Sequence, residues 1–260
     1  MTVNFVIKGR LGNAIFRYLA CVIISIFCNK DYSINNKGNL NLTDKLFFEV
    51  SKKLLQSKNL LLSENSFDMN GFYQHDKIYK KYKSEIINYI NSNPSHIVIT
   101  DGITAGDGKH EKFFMKEILN TPDNFKKKYK NVLHLRLEDF VTHNLYLPVE
   151  RILNLLNKNI IIDSICIVCK KTTTNLEDNY IKTILDFLKE KNIDVKIENN
   201  ELLTDYYIMK EAELLICSKS TLSWCAAFFS NKINICYFPD YEEQPQIMTC
   251  KKPIENTILY

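Results

Sequence analysis

Glycine is scarce in this chain, at seven in 260 residues, and none follows Gly108. The second half therefore has no glycine-rich loop to wrap a phosphate, which excludes a dinucleotide fingerprint or a P-loop there. Neither charge sign dominates: 34 basic against 30 acidic residues leave a net +4. That balance is too mild for a nucleic-acid partner but is compatible with a local anion site. No HExxH, no serine nucleophile elbow and no spaced aspartate pair for a divalent metal occurs, an absence that fits a protein working without a metal or other cofactor. Cys166 and Cys169 have no second CxxC to complete a zinc site, and on a strand they point to opposite faces. The longest apolar run, Leu11 to Cys28, reaches only the lower limit for a membrane span and carries Asn13 and Arg17. With no basic leader and no small-residue cleavage site near it, it predicts a buried helix rather than an anchor.

What is present is the composition of an ordinary globular protein, 45% apolar and 25% charged. The length admits one large domain or two small ones. Eight cysteines, several inside apolar runs, predict buried free thiols in a reducing compartment, hence a soluble cytoplasmic protein.

The chain opens with an apolar strand at Val3–Ile7, a glycine turn from Gly9 to Gly12 and a helix from Asn13 to Asn29, the first unit of an α/β fold. Helices are predicted at Asp44–Leu62 and Tyr79–Asn91, a strand at His96–Ile99 and a glycine-bearing loop from Asp101 to His110. The basic run Lys126–Lys130 marks a junction and predicts a solvated helix end. Beyond it, strands at Asn131–Leu135, Ser164–Cys169, Ile193–Ile197, Glu213–Cys217 and Ile233–Phe238 alternate with helices. Those helices are Val149–Leu156, Asp178–Glu190, Asp205–Ala212 and Leu222–Phe229. This alternation predicts a parallel sheet covered on both faces, with ligands off its C-terminal strand ends. His134, Arg136, Ser218, Ser220, Pro239 and Asp240 fall at those ends. The fold class expected is α/β, with two Rossmann-like domains at 1–125 and 126–260 and the site in the cleft between them.

Three motifs carry the chemistry. Ser218-Lys219-Ser220-Thr221 precedes the helix holding Ser223 and Trp224. Unpaired N–H groups and the positive end of the dipole suit a diphosphate there, although Ser220 or Thr221 could equally cap the helix. His134-Leu135-Arg136 leaves a strand with His134 and Arg136 on one face, and an Arg fork can grip phosphate or neutralise a departing diphosphate. Asp139 can pair with that Arg or hold the loop. Gly9-Arg10-Leu11-Gly12-Asn13 lets backbone approach a ligand and offers a charge and an amide; an ordinary tight turn would look the same. Gly71-Phe72-Tyr73-Gln74-His75 reads as an aromatic loop with polar edges, suited to a sugar or to packing.

In this order the motifs resemble those of the α-1,2-fucosyltransferases. Gly9–Asn13 is similar to their Gly-x-Leu-Gly-Asn, and Gly71–Gln74 to their Gly-aromatic-aromatic-Gln. His134–Phe140 is similar to His-x-Arg-Arg-Gly-Asp-Tyr, Asp205–Met209 to Asp-Phe-x-Leu-Met, and Ser218–Ala227 to Ser-Asn-Ser-Ser-Phe-Ser-Trp-Trp-Gly-Ala. The resemblance spans residues 9 to about 239. It implies a GT-B-like, metal-independent inverting glycosyltransferase that moves fucose from GDP-fucose to a hydroxyl of a glycan acceptor. The acceptor side would be the first domain, with Tyr73, Gln74 and His75 as candidates. The nucleotide sugar would sit on the second. By the same resemblance Arg136, with His134 and Asp139, serves the reaction, His134 and Asp205 face the guanosine, and Ser218, Ser220, Thr221 and Ser223 hold phosphate. Arg10, Gly12 and Asn13 complete the donor site. His75, Asp76 and Glu138 are candidates for the general base. Leu137 stands where the family has a second Arg, Glu138 where it has Gly, and Lys170-Lys171-Thr172 where it has Ser-Asp. Cys225 and Ala226 replace its second Trp and its Gly. These departures leave open a different nucleotide sugar, or a binding protein without turnover.

Overall fold

Buried parallel strands read as continuous apolar runs because both faces are covered. Five expected strands in the second half, four of them such runs, join one sheet in the computed structural model, which describes residues 2–5, 9–28, 40–56, 66–101, 109–159, 162–240 and 250–260. The strands are β6 (Asn131–His134), β7 (Ser164–Val168), β8 (Asp194–Glu198), β9 (Leu214–Ile216) and β10 (Ile235–Phe238). A sixth, β11 (Thr257–Leu259), joins at the edge. The order is β11-β10-β9-β6-β7-β8 and every pairing is parallel. Counted in chain order this is 3-2-1-4-5-6, the arrangement of a Rossmann-type doubly wound sheet, whose order reverses between β6 and β9.

Helices cover both faces. Leu133, Leu135, Ile165, Ile167 and Ile216 point into one core with Ile152 and Leu155 of α7 (Val149–Asn159) and Ile181, Ile184 and Leu188 of α8 (Asn175–Glu190). Thr174 caps α8, accepting from the Glu177 N–H while the Glu177 carboxylate accepts from the Thr174 N–H, a reciprocal capping box. On the opposite face α9 (Leu202–Lys210) packs on β6 and β7 and against α10 (Thr221–Phe229).

The chain divides into two compact units, Met1–Asn120 with Pro245–Cys250, and Thr121–Gln244 with Lys251–Tyr260. In the first, β1 (Thr2–Phe5), β2 (Leu40–Thr43) and β3 (Ser66–Asn70) form a small parallel sheet ordered β1-β3-β2. Helices α1 (Leu11–Cys28) and α2 (Asp44–Gln56) belong to this unit. The expected helix over Tyr79–Asn91 is two, α3 (Asp76–Lys81) and α4 (Lys83–Ser92). The break falls at Tyr82, whose hydroxyl donates to the Leu54 carbonyl at 2.7 Å. The expected strand at His96–Ile99 is β4 (Ile97–Ile99), paired antiparallel with β5 (Lys112–Phe114) outside the parallel sheet. A short helix, α5 (Met115–Leu119), follows. Val6, Ile7, Asn29, residues 57–62 and most of the Asp101–His110 loop lie outside the described residues.

The basic run Lys126–Lys130 ends no helix; it leads as irregular chain into β6, with Lys127 bonded to Glu198 at 2.8 Å. Cys21, Cys166, Cys169, Cys217, Cys225, Cys236 and Cys250 are free and buried. Ile165, Ile167 and Cys169 belong to the α7–α8 core, which turns Cys166 to the other face. Among the described residues no helix is long and apolar enough to cross a membrane, and no group of three His, Cys, Asp or Glu side chains could hold a metal ion.

Candidate functional site

The crevice at a strand-order reversal is where open α/β sheets bind ligands, because the connections leaving the two central strands diverge to opposite faces. His134 is the last residue of β6, and Ser218-Lys219-Ser220 follows β9. The Ser218 hydroxyl lies 3.1 Å from His134 Nδ1, so the residues on either side of the reversal are hydrogen-bonded to each other. His134 is buried, and that burial, reinforced by the charges of Arg136 and Lys170, drives its pKa down to about 3. It is a neutral imidazole at physiological pH, able to exchange hydrogen bonds without adding charge.

Ser220 is the N-cap of α10, accepting from the Leu222 N–H at 3.2 Å, and Ser223 donates to the Ser220 carbonyl at 3.0 Å. Ser220 and Ser223 are therefore engaged in the helix start itself. Thr221 is half-buried in its first turn. Trp224 is fully buried and stacks on Phe228 at 5.1 Å, which anchors the helix in the core.

Leu133, Leu135 and Leu137 point into the core, so His134 and Arg136 share the other side. Arg136 binds Asp139 twice, Nε to Oδ1 at 3.1 Å and Nη2 to Oδ2 at 3.0 Å. Glu138 Oε2 lies 3.6 Å from the same Nε, and the Phe140 ring sits 5.1 Å from the guanidinium carbon. Glu138 opens α6 (Glu138–Thr142) with φ 37°. A left-handed backbone costs about 1–2 kcal/mol for a residue with a Cβ. Leu137 is 6% exposed, so this position could not carry a solvated second cation without repacking.

Asp205 is buried in a network that motif reading did not anticipate. Lys170 Nζ reaches it at 3.1 Å, and Asn200 donates both its backbone N–H (3.1 Å) and its side-chain amide (3.0 Å). Lys170 also donates to the Asn200 carbonyl. Burial lifts the Asp205 pKa against those bonds. Glu198, beside it, accepts from Lys127, Tyr129 and Asn200 at 2.8, 2.5 and 3.0 Å. Burial alone would raise the Glu198 pKa, but these donors outweigh it and bring the pKa to about 2. The only sequence signal for this cluster was Lys170 standing in the place of a Ser-Asp pair.

The N-terminal motifs meet within the first unit. Gly9 has φ +84°, and a Cβ there would fall 2.7 Å from Asn13 Nδ2. Gln74 donates to Asn13 Oδ1 at 3.2 Å. Gly12 lies buried in the first turn of α1 and Arg10 is half-buried before it. Tyr73 needs correction as an acceptor-side residue: its ring has no exposure, its hydroxyl donates to the Leu42 carbonyl at 2.5 Å, and its φ is 53°. Asp44 fixes that turn by accepting the Tyr73 N–H at 2.6 Å. Burial lowers the pKa of His75, whose ring lies 5.7 Å from Phe47 and 5.1 Å from Phe48. Asp76 opens α3.

No protein-family model matches the chain, and no curated protein matches it. Among solved structures it is similar to E. coli heptosyltransferase WaaC with ADP, at 12% identity and a TM-score of 0.41, over 100% of this chain and 92% of that one. Likeness at that TM-score carries neither fold nor function; the α/β assignment rests on the strand order and pairing.

Proposed function

We propose that the chain is a metal-independent inverting glycosyltransferase whose second unit binds a nucleotide sugar at the β6/β9 reversal, and that the transferred sugar is fucose from GDP-fucose. The observation that carries the reading is the His134–Ser218 bond at the switch point, with the α10 N-terminus and Arg136 beside it. In this reading an acceptor hydroxyl attacks the anomeric carbon, the bond to the diphosphate oxygen breaks, configuration inverts, and the hydroxyl proton passes to water. Arg136 offsets the charge that gathers on the leaving GDP. His134, held neutral, orients the nucleotide beside a charged group without competing for it. GDP-fucose as the donor rests on the motif resemblance.

Arg136 already holds two carboxylates. That favours a second reading, a relative that binds a nucleotide sugar and does not turn it over, or one with another donor. Incubating the protein with GDP-fucose and no acceptor separates them. Slow release of free fucose and GDP supports the transferase, since water can replace the acceptor, while binding without release supports the non-catalytic form.

A further inference from the structure

Glu138 is the one described residue that is at once in a left-handed conformation and within 4 Å of the guanidinium proposed to hold an anion. Its φ of 37° is a conformation that favours glycine. A strained backbone persists only where its surroundings over-determine it. Here the strain brings Oε2 to 3.6 Å from Arg136 Nε, on the fork that Asp139 already occupies at 2.9 Å. Arg136 thus faces two negative charges with one positive charge. Asp139 already pairs with it; the second carboxylate adds negative charge where an anion would have to dock.

We infer that Glu138 sets the affinity of the anion site: its carboxylate competes with phosphate oxygens for Arg136 and weakens the grip on a diphosphate. The inference rests on the reading that the switch point binds a nucleotide diphosphate. At the effective dielectric of a half-buried site, a unit charge a few ångströms from a bound anion changes its affinity by roughly tenfold or more. The site of this chain is accordingly set to hold its diphosphate loosely, a property that favours release of a nucleoside diphosphate product over its retention.

The test uses the full chain with inorganic pyrophosphate and with GDP as probes, measured by calorimetry at low salt. Glu138→Gln keeps the strained backbone and removes the charge; Glu138→Gly removes both. Both variants are expected to bind pyrophosphate and GDP more tightly than the wild type, by about tenfold or more. Glu138→Gly is also expected to melt at a higher temperature without ligand. A purely structural role for Glu138 would weaken binding instead, so the direction of change is decisive. If the wild type binds and neither variant binds more tightly, the inference falls while the nucleotide reading stands. If neither the wild type nor the variants bind either probe, both fall. Binding by the variants alone would support the inference in its strongest form.

Discussion

Ser218 and His134 are 84 positions apart in the chain and 3.1 Å apart in the fold, joined across the reversal of strand order in the second unit. The bond ties the loop after β9 to the end of β6 at that reversal. It also places an imidazole where burial and two cations forbid its protonation.

That environment predicts a pH dependence. The native pKa of His134, about 3, lies below the unfolded value of 6.5. The unfolded chain therefore takes a proton that the native one refuses. The stability associated with His134 is complete above pH 6.5 and is lost as pH falls toward 3. Between pH 7 and pH 5 the loss is about 2 kcal/mol. Urea unfolding at the two pH values should show this difference in the wild type and a smaller one in His134→Gln. Equal pH dependence in both proteins would contradict the buried neutral imidazole.

Arg136→Ala should leave the fold intact. Its partner Asp139 is 36% exposed, and ion pairs of that kind contribute at most about 1 kcal/mol. Transfer should fall by two orders of magnitude or more, about 2.7 kcal/mol of barrier. Near-normal kcat in a well-folded variant would remove Arg136 from the mechanism.

Gly9→Ala tests the N-terminal turn. The positive φ and the 2.7 Å approach to Asn13 mean that the substitution strains the backbone and pushes Asn13 away from Gln74. A stability loss of about 1–3 kcal/mol is expected, read as a lower Tm, together with reduced transfer. An unchanged Tm would show that the turn tolerates a side chain.

Transfer should proceed in EDTA at the rate found with added magnesium. Arg136 and the N–H groups of the α10 start are the groups asked to offset the diphosphate charge, in place of a metal ion. Strict dependence on added metal would contradict that division of labour.

The second unit is readable because most of its strands are buried on both faces. Ser164-Ile165-Cys166-Ile167-Val168 is almost unbroken apolar sequence, and so are Leu214–Ile216 and Ile235–Phe238. In the first unit β1 and β4 are legible, but β2 and β3 are not. Leu40-Asn41-Leu42-Thr43 and Ser66-Phe67-Asp68-Met69-Asn70 alternate as strands do, but at four and five residues, without β-branched runs, the pattern is too short to stand out; the pairing of β3 with β1 and β2 specifies them. The site was legible where one motif carries its own geometry, as in His134 and Arg136 sharing a face, or Ser220 at a helix start. It was not legible where partners come from distant segments. In the sequence Asp205 reads as an available nucleotide-facing carboxylate; in the fold Lys170, 35 positions away, and Asn200 occupy it. Tyr73 looked like a sugar platform because an aromatic beside Gln and His reads the same whether it faces solvent or the core.

Thermal unfolding of the full chain against GDP, UDP, CDP and ADP, without metal, tests the central claim most directly. A nucleotide that binds only the folded protein stabilises it by RT ln(1 + [L]/Kd), about 2.7 kcal/mol at a hundredfold excess over Kd. The account predicts a clear rise in Tm with GDP, little with the other three, and loss of the rise in Arg136→Ala. No rise with any nucleotide would contradict a nucleotide-sugar site at the His134–Ser218 crevice.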